Sequence, residues 1–556
     1  MYRDFLIIST IFYALLYCCG CDNEEVKKQY FTQPIEVVCD YPFNDTSKYA
    51  ITCRVWGLLK YHHPNVTAGK LDWDEVLLER LDNIRGAQTP EQVNAEVMQM
   101  IRIAGKYKVP KSKIRRDSIN MNVNLCWLDH SFINDTIKRT LKEITLLTMK
   151  TPSYYITANA INLPVPNEKD DVKMFPDYKQ RLLGLFRYWN VIYYFYPYKY
   201  LMDQSWDVTL SEFIPQFINA IDIKLYHRSV QKLATRLNDG HAYTSVSIPY
   251  DLFRFRYITM VDTLTVVRTP LEGSLLERGD IILGLNGENI RTVRDSIAAL
   301  IPSSNRRFTD NAVNGWLHEV IVDGCTLTIL RNQQEITLRE SRKTFVRESS
   351  PLFSTVSADI GYVNVDRLRS FDIPNVMNSL KDCKGIIFDL RNYPYHLLTS
   401  SCWDLICYIS SKQEYCYGLA NRPDPSHYGA FYQYECYMEC PDELWEDGNK
   451  RYEGKVVALI NASSISAAET LSMDFRIHGA TLIGTPTAGA NGNVVHFSLP
   501  GGIAVYYSGL GFYYPNGEQT QRTGIIPDIE VYPTMDDILA GRDEVLEAAI
   551  RFINSN

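Results

Sequence analysis

From Arg54 to about Arg236, apolar positions recur at the three-and-four spacing of amphipathic helices; beyond Tyr250 they alternate or cluster in short blocks, as strands do. The helical half repeats itself. Arg54-Val55-Trp56-Gly57-Leu58-Leu59-Lys60-Tyr61 returns as Arg181-Leu182-Leu183-Gly184-Leu185-Phe186-Arg187-Tyr188. Each copy is followed by a proline (Pro64, Pro197), a Trp-Asp pair (Trp73-Asp74, Trp206-Asp207) and a glutamate (Glu79, Glu212). In this register the second copy carries six extra residues, rich in aromatics, between Tyr188 and Pro197. The pattern predicts two related helical modules, over 22–165 and 166–249, with Leu163-Pro164-Val165-Pro166 as a linker. Only the second ends in Asn238-Asp239-Gly240-His241; the first ends in Ile103-Ala104-Gly105-Lys106.

Residues 250–345 read as short strands around Glu277-Arg278-Gly279-Asp280-Ile281-Ile282-Leu283-Gly284-Leu285-Asn286-Gly287, whose Asn-Gly pair signals a hairpin turn. From 346 to 556, strands alternate with amphipathic helices, an α/β pattern. A Tyr-rich stretch with Pro423 and Pro425, 411–454, reads as a long inserted loop of the kind that serves as a lid or binding surface. The expected fold class is multidomain α+β.

Within the last region, Val456-Val457-Ala458-Leu459-Ile460-Asn461 turns through Ala462-Ser463-Ser464-Ile465-Ser466-Ala467-Ala468-Glu469 into a helix. A serine there stands at a helix N-terminus, where free N–H groups and the helix dipole stabilise a developing oxyanion. A polar cap built from Ser463, Ser464 and Ser466 explains the same pattern without chemistry.

Composition narrows the classes. The 556 residues exceed one core. A hydrophobic fraction of 46% is ordinary for globular chains, and a net charge of −8 lacks the basic face that nucleic acid requires. Arg3 and the apolar stretch Phe5–Leu16, ending at Cys18-Cys19-Gly20-Cys21, form a targeting segment over 1–21 that resembles a bacterial lipoprotein signal. That resemblance implies lipidation of Cys21 and a chain lying in the bacterial cell envelope, periplasmic or surface-exposed. Of the thirteen cysteines, Cys53, Cys126, Cys402 and Cys407 read as core, while Cys416, Cys436 and Cys440 share one region and are expected to pair. No histidine accompanies them at zinc-ligand spacing, so no metal and no cofactor are expected.

The serine turn resembles the nucleophile motif of the carboxyl-terminal processing and tricorn-type serine peptidases, in which the reactive serine precedes a glutamate by three, as Ser466 precedes Glu469. The rest of that signature follows in order: Gly361–Val365 and Gly385–Asn392 upstream, then Ala480–Gly489, then Gly524–Val531. The resemblance runs from about Asp239 to the C-terminus. It implies a ClpP/crotonase-like peptidase core over 346–556, and it makes the Gly-Asp-Ile-Ile segment look like a PDZ domain, a fold that adds an extended chain end to a sheet edge.

The resemblance also assigns roles. A serine hydroxyl needs an adjacent base. The lysine used by many processing peptidases is ruled out, because no lysine follows Ser466. The tricorn-type branch carries a histidine on a motif like Asp239-Gly240-His241, which makes His241 the expected base. Its third member is a glutamate; alignment on Gly524 puts Gln521 there, and Glu518 is the nearest acid and the expected partner, with Gln521 as the alternative. The oxyanion is expected to be held by the backbone N–H of Ala467 and by Tyr393, in a loop where Pro394 and Tyr395 stand in place of the usual paired glycines. Two functions follow as expectations. One is a secreted or lipid-anchored serine endopeptidase acting on extended segments or tails of proteins. The other is an inactive chain of the same fold that binds peptides through its PDZ-like region.

Overall fold

The computed structural model describes residues 42–108, 120–147, 153–159, 161–169, 174–249, 257–342, 351–397, 404–445 and 451–555. The targeting segment, Cys21 and Cys402 lie outside these. Among the described residues no helix is long and apolar enough to cross a membrane.

Helices Asp45–His62, Trp73–Gly86 and Pro90–Ala104 have counterparts in Tyr178–Phe195, Trp206–Ile218 and Ile223–Thr235. In each set two tryptophans 17 residues apart clasp each other. The Trp56 indole N–H donates to Trp73 O (2.9 Å) and that of Trp73 to Trp56 O (3.0 Å). Trp189 and Trp206 do the same at 2.8 and 2.9 Å. These clasps set a different register from the one expected. Trp56 matches Trp189 and Arg54 matches Arg187, with no insertion, because the aromatic run after Tyr188 continues its helix instead of looping out. In this register the ion pairs are exchanged between sets: Arg54 holds Asp207 (2.7 Å) and Arg187 holds Asp74 (2.5 Å). Where the two long helices cross, a Cβ on Gly57 would lie 1.8 Å from Asn190 Oδ1, so only glycine permits the approach. Leu163–Pro166 is no free linker: Pro164–Pro166 pairs as a strand with Ile156–Ala158.

Between 257 and 342 lies an antiparallel sheet ordered Ile258–Val261, Leu264–Val267, Ile281–Leu285, Thr326–Arg331, Gln334–Arg339. Helices Ile290–Ala298 and Arg306–Asp323 accompany it, and it has its own apolar core. The Asn-Gly turn forms as its chemistry dictates, with φ of 50° at Asn286 and 86° at Gly287.

The C-terminal region is built on one sheet ordered Phe353–Ser357, Ile360–Asn364, Gly385–Asp389, Lys455–Ile460, Thr481–Gly484, Ile529–Glu530, parallel in every pairing but the first. Its central strands are continuous apolar runs because both faces are covered. The expected insertion loop is a hairpin instead. Glu414–Pro423 and Ala430–Glu439 pair along their length and join Gly511–Tyr513 in a second sheet. Pro423 is tolerated because it sits at the end of its strand. Cys440 is disulfide-bonded to Cys407, and Cys416 and Cys436 remain thiols. Cys126 is also in a disulfide, so Cys126 and Cys407 are not plain core residues.

Asp474, in helix Ala467–Ile477, is fully buried, and among the described residues neither carboxyl oxygen has a hydrogen-bond partner. Burial raises its carboxyl well above the ordinary value. A raised acid stabilises the fold at low pH, and that contribution is lost as pH rises through its folded value. Asp474→Leu is expected to stabilise the chain by about 1–3 kcal/mol near neutral pH and to flatten that decline. Urea unfolding on both sides of neutrality checks it; a variant less stable than the parent at alkaline pH contradicts it.

Candidate functional site

Strand Lys455–Ile460 ends at the centre of the sheet, and helix Ala467–Ile477 begins seven residues later on the far side of a tight turn. Three serines occupy that turn, and their environments separate them. Ser464 Oγ donates to Leu390 O (2.8 Å), and Ser463 Oγ accepts from Asn311 Nδ2 (2.8 Å). Both are fully buried and serve the turn. Ser466 is half-buried and has φ 57°, ψ −117°, a conformation that costs a non-glycine residue of order 1–3 kcal/mol and clusters at functional sites. Its N–H donates to Ala490 O (3.0 Å) and to Glu469 Oε2 (3.2 Å). Ala467 is the first helical residue, so its N–H has no intrahelical acceptor.

Glu469 holds this turn against the next loop. It accepts from Gly489 N–H (2.8 Å), Ala490 N–H (3.0 Å) and the Thr487 hydroxyl. Burial pushes its carboxyl up to about 7, against the pull of these donors. The glutamate three residues after Ser466 is therefore the bracket of the turn.

His241 arrives from the helical half. Its neighbour Gly240 packs on the residues flanking Ser466: a Cβ there would meet Ala490 Cβ at 3.1 Å and Ile465 Cδ1 at 3.4 Å. Gly240, the residue before His241, thus lies against the flanks of the Ser466 turn, which come from a distant part of the chain. His241 Nδ1 is 2.9 Å from Ser508 Oγ, on strand Ile503–Ser508, and its backbone N–H donates to Asp239 Oδ1 (3.0 Å). Burial lowers the imidazole below its usual value, and the Asp239 charge pulls it back up. Asp239 also accepts from Ser508 N–H (2.9 Å), Ser508 Oγ (3.1 Å) and Gln521 Nε2 (3.2 Å).

Glu518 is exposed, on a turn where its own N–H donates to Asn516 and its carbonyl accepts from Tyr514 N–H. It does not back His241. The chain doubles into the Tyr514–Gly517 turn before it reaches the buried site, which leaves Glu518 outside and carries Gln521 inside. The acid beside His241 is Asp239, and neither Asp239 nor Ser508 was singled out as a partner from sequence. At the C-terminal end of helix Ala467–Ile477, burial and nearby Lys412 lower the imidazole of His478 to about 4.

The loop after strand Gly385–Asp389 passes the same place. Tyr393 packs on the small apolar cluster of Phe308, Ile465, Ala488 and Ala490. Tyr395 N–H is spent on Tyr393 O (2.9 Å), and Pro394 has no N–H. Below the loop, Arg391 clamps buried Asp389 (2.9 and 2.8 Å) and Asp543 (2.8 Å twice). Helix Arg306–Asp323 closes the site from the other side. Phe308 fills the apolar cluster, Asn305 Nδ2 donates to Ala488 O (2.8 Å), and Ser304 Oγ accepts Gly240 N–H (2.7 Å).

Residues 359–531, which hold this turn and both flanking loops, match the model of peptidase family S41. Over this stretch the chain is similar to that family. Solved structures with a similar chain path are these. Mature CPAF complexed with lactacystin has 12% identity, a TM-score of 0.52, and coverage of 68% of this chain and 99% of that one. A peptidase from Parabacteroides merdae has 16% identity and a TM-score of 0.42 over 68% of this chain and 98% of its own. The photosystem II D1 C-terminal processing protease has 16% identity and a TM-score of 0.38 over the same shares. No curated protein matches the sequence. The family matched over this stretch is one of peptidases.

Proposed function

We propose that this chain is a secreted or lipid-anchored serine endopeptidase that hydrolyses extended segments or tails of proteins through an acyl-enzyme. The observation that carries the reading is Ser466, strained and half-buried at a helix N-terminus, with the His241 loop packed on its flanks. Ser466 Oγ attacks the scissile carbonyl as His241 takes its proton; the same imidazole then protonates the leaving amine and activates the water that releases the acid. The Ala467 N–H, aided by the Tyr393 loop, receives the oxyanion. The strained serine lowers the cost of reaching that geometry, because its strain is paid when the chain folds.

The antiparallel domain over 257–342 is read as PDZ-like and the two helical sets as a duplication. A PDZ-like edge strand supplies a place where an extended chain adds to a sheet. Anchorage is assigned to Cys21; replacement by serine is expected to release the chain from membranes.

The test is digestion of unfolded casein by the chain from Asp22 onward. Cleavage is expected, with the acid limb of kcat/KM below pH 6.5, the ordinary histidine value, because burial lowers His241 and only the neutral ring accepts the serine proton. A limb above that value contradicts the assignment of the base. The second reading, an inactive peptide binder, is favoured by Pro394 and by the spent N–H of Tyr395. It predicts no cleavage with retained binding of casein peptides.

A further inference from the structure

The base of this site is not backed by the glutamate that the tricorn-type pattern supplies, because Gln521 stands there. An acid is nonetheless present. Asp239 is fully buried and accepts four hydrogen bonds, all from neutral donors: His241 N–H, Ser508 N–H, Ser508 Oγ and Gln521 Nε2. Among the described residues no lysine or arginine pairs with it. Within reach of its charge are Tyr188, Tyr196 and Tyr198, all buried, and burial above all, with a smaller push from the Asp239 charge, holds their hydroxyls far above their ordinary range. A carboxylate in such a shell, satisfied but not neutralised, acts strongly on the titratable ring beside it.

The direction of the hydrogen bonds follows from what each atom can do. Asp239 Oδ1 can only accept, so the single Ser508 hydroxyl proton points to it. Ser508 Oγ must then accept from His241 Nδ1, 2.9 Å away. The imidazole is therefore the Nδ1–H tautomer, with Nε2 left as the acceptor for the Ser466 proton. When Nε2 takes that proton, the positive ring stays bonded through Ser508 to a carboxylate already in place, and no further proton moves.

We propose that Asp239, acting through Ser508, is the positioning charge of the His241 base, in the role that the family pattern assigns to a glutamate at the position of Gln521. Asp239 and Gln521 stand side by side, acid and amide joined by one hydrogen bond. The inference rests on the peptidase reading for its purpose but not for its measurement.

Two readouts test it. The first is the titration of the His241 ring, followed by NMR on the chain from Asp22 onward with ring-labelled histidine and assigned by loss of the signal in His241→Gln. Asp239→Asn is expected to move that titration down by about one pH unit or more. Ser508→Ala, which keeps the backbone N–H to Asp239 and removes only the bridge, is expected to move it in the same direction by less. The second is kcat/KM on casein. Asp239→Asn is expected to lose on the order of 10³–10⁴-fold, and Asp239→Asn with Gln521→Glu, which restores one acid and one amide, to regain at least about tenfold with the acid limb moving back up. A His241 titration unchanged in both single variants overturns the proposal, as does an exchanged double variant no better than Asp239→Asn with its titration still low. A shifted titration in a chain that cleaves nothing supports the positioning charge and sinks the peptidase reading instead. If Asp239→Asn does not fold, Ser508→Ala decides by the same titration.

Discussion

Ser466→Ala is expected to lose on the order of 10⁴–10⁶-fold in casein hydrolysis while its unfolding transition and circular dichroism stay those of the parent. The loss is large because the hydroxyl is the only group at the turn that can form the acyl bond; Ser463 and Ser464 are buried and committed to Asn311 and Leu390. The fold survives because the turn is held chiefly by the Ser466 N–H, which alanine keeps and which makes the bonds to Ala490 and Glu469. His241→Ala is expected to cost a comparable factor, and the double variant scarcely more, since the two residues act as one unit. Full activity in Ser466→Ala removes the proposed mechanism.

Arg391→Ala is expected to cost about 3–5 kcal/mol, the largest effect on stability from any single polar change at the site. Asp389 is buried at the end of its strand and Asp543 caps the final helix, Glu544–Asn554; burial raises both carboxyls, and the shared Arg391 guanidinium more than offsets it, helped by the Tyr362 hydroxyl at Asp389 and the Leu546 N–H at Asp543. Without it buried Asp389 faces the partly exposed Asp543 with no cation between them, and the loop that carries Tyr393 loses its anchor. Lowered acids contribute stability above their unfolded values and lose it as pH falls through the folded ones, so the parent should resist acid further than the variant. Denaturant unfolding at neutral and acid pH measures both. A loss under about 1 kcal/mol would mean that water replaces the guanidinium, the behaviour of a surface pair.

Much of the core was legible because its signals are local. The apolar runs at Ile386 and Val456 formed the expected parallel strands, and Asn286-Gly287 turned as its backbone freedom requires. Long-range decisions were not legible. Which of three serines is exposed to reaction depends on one φ value at Ser466. The acid behind His241 was sought downstream at Glu518, yet it sits two residues before the histidine and reaches the ring through Ser508, 267 residues away. Aromatic residues after Tyr188 hid the register of the repeat, which shows only in the paired tryptophan clasps. Pro423 and Pro425 suggested a loop where a hairpin stands, because proline is harmless at a strand end.

The central claim is that Ser466 is a nucleophile poised by His241. It is tested most directly by reacting the chain from Asp22 onward with a fluorophosphonate, which bonds covalently to an activated serine, and mapping the adduct by peptide mass spectrometry. The account predicts a single adduct at Ser466 that is absent in His241→Ala. An unmodified Ser466, or an adduct on Ser463 or Ser464 in its place, would contradict it.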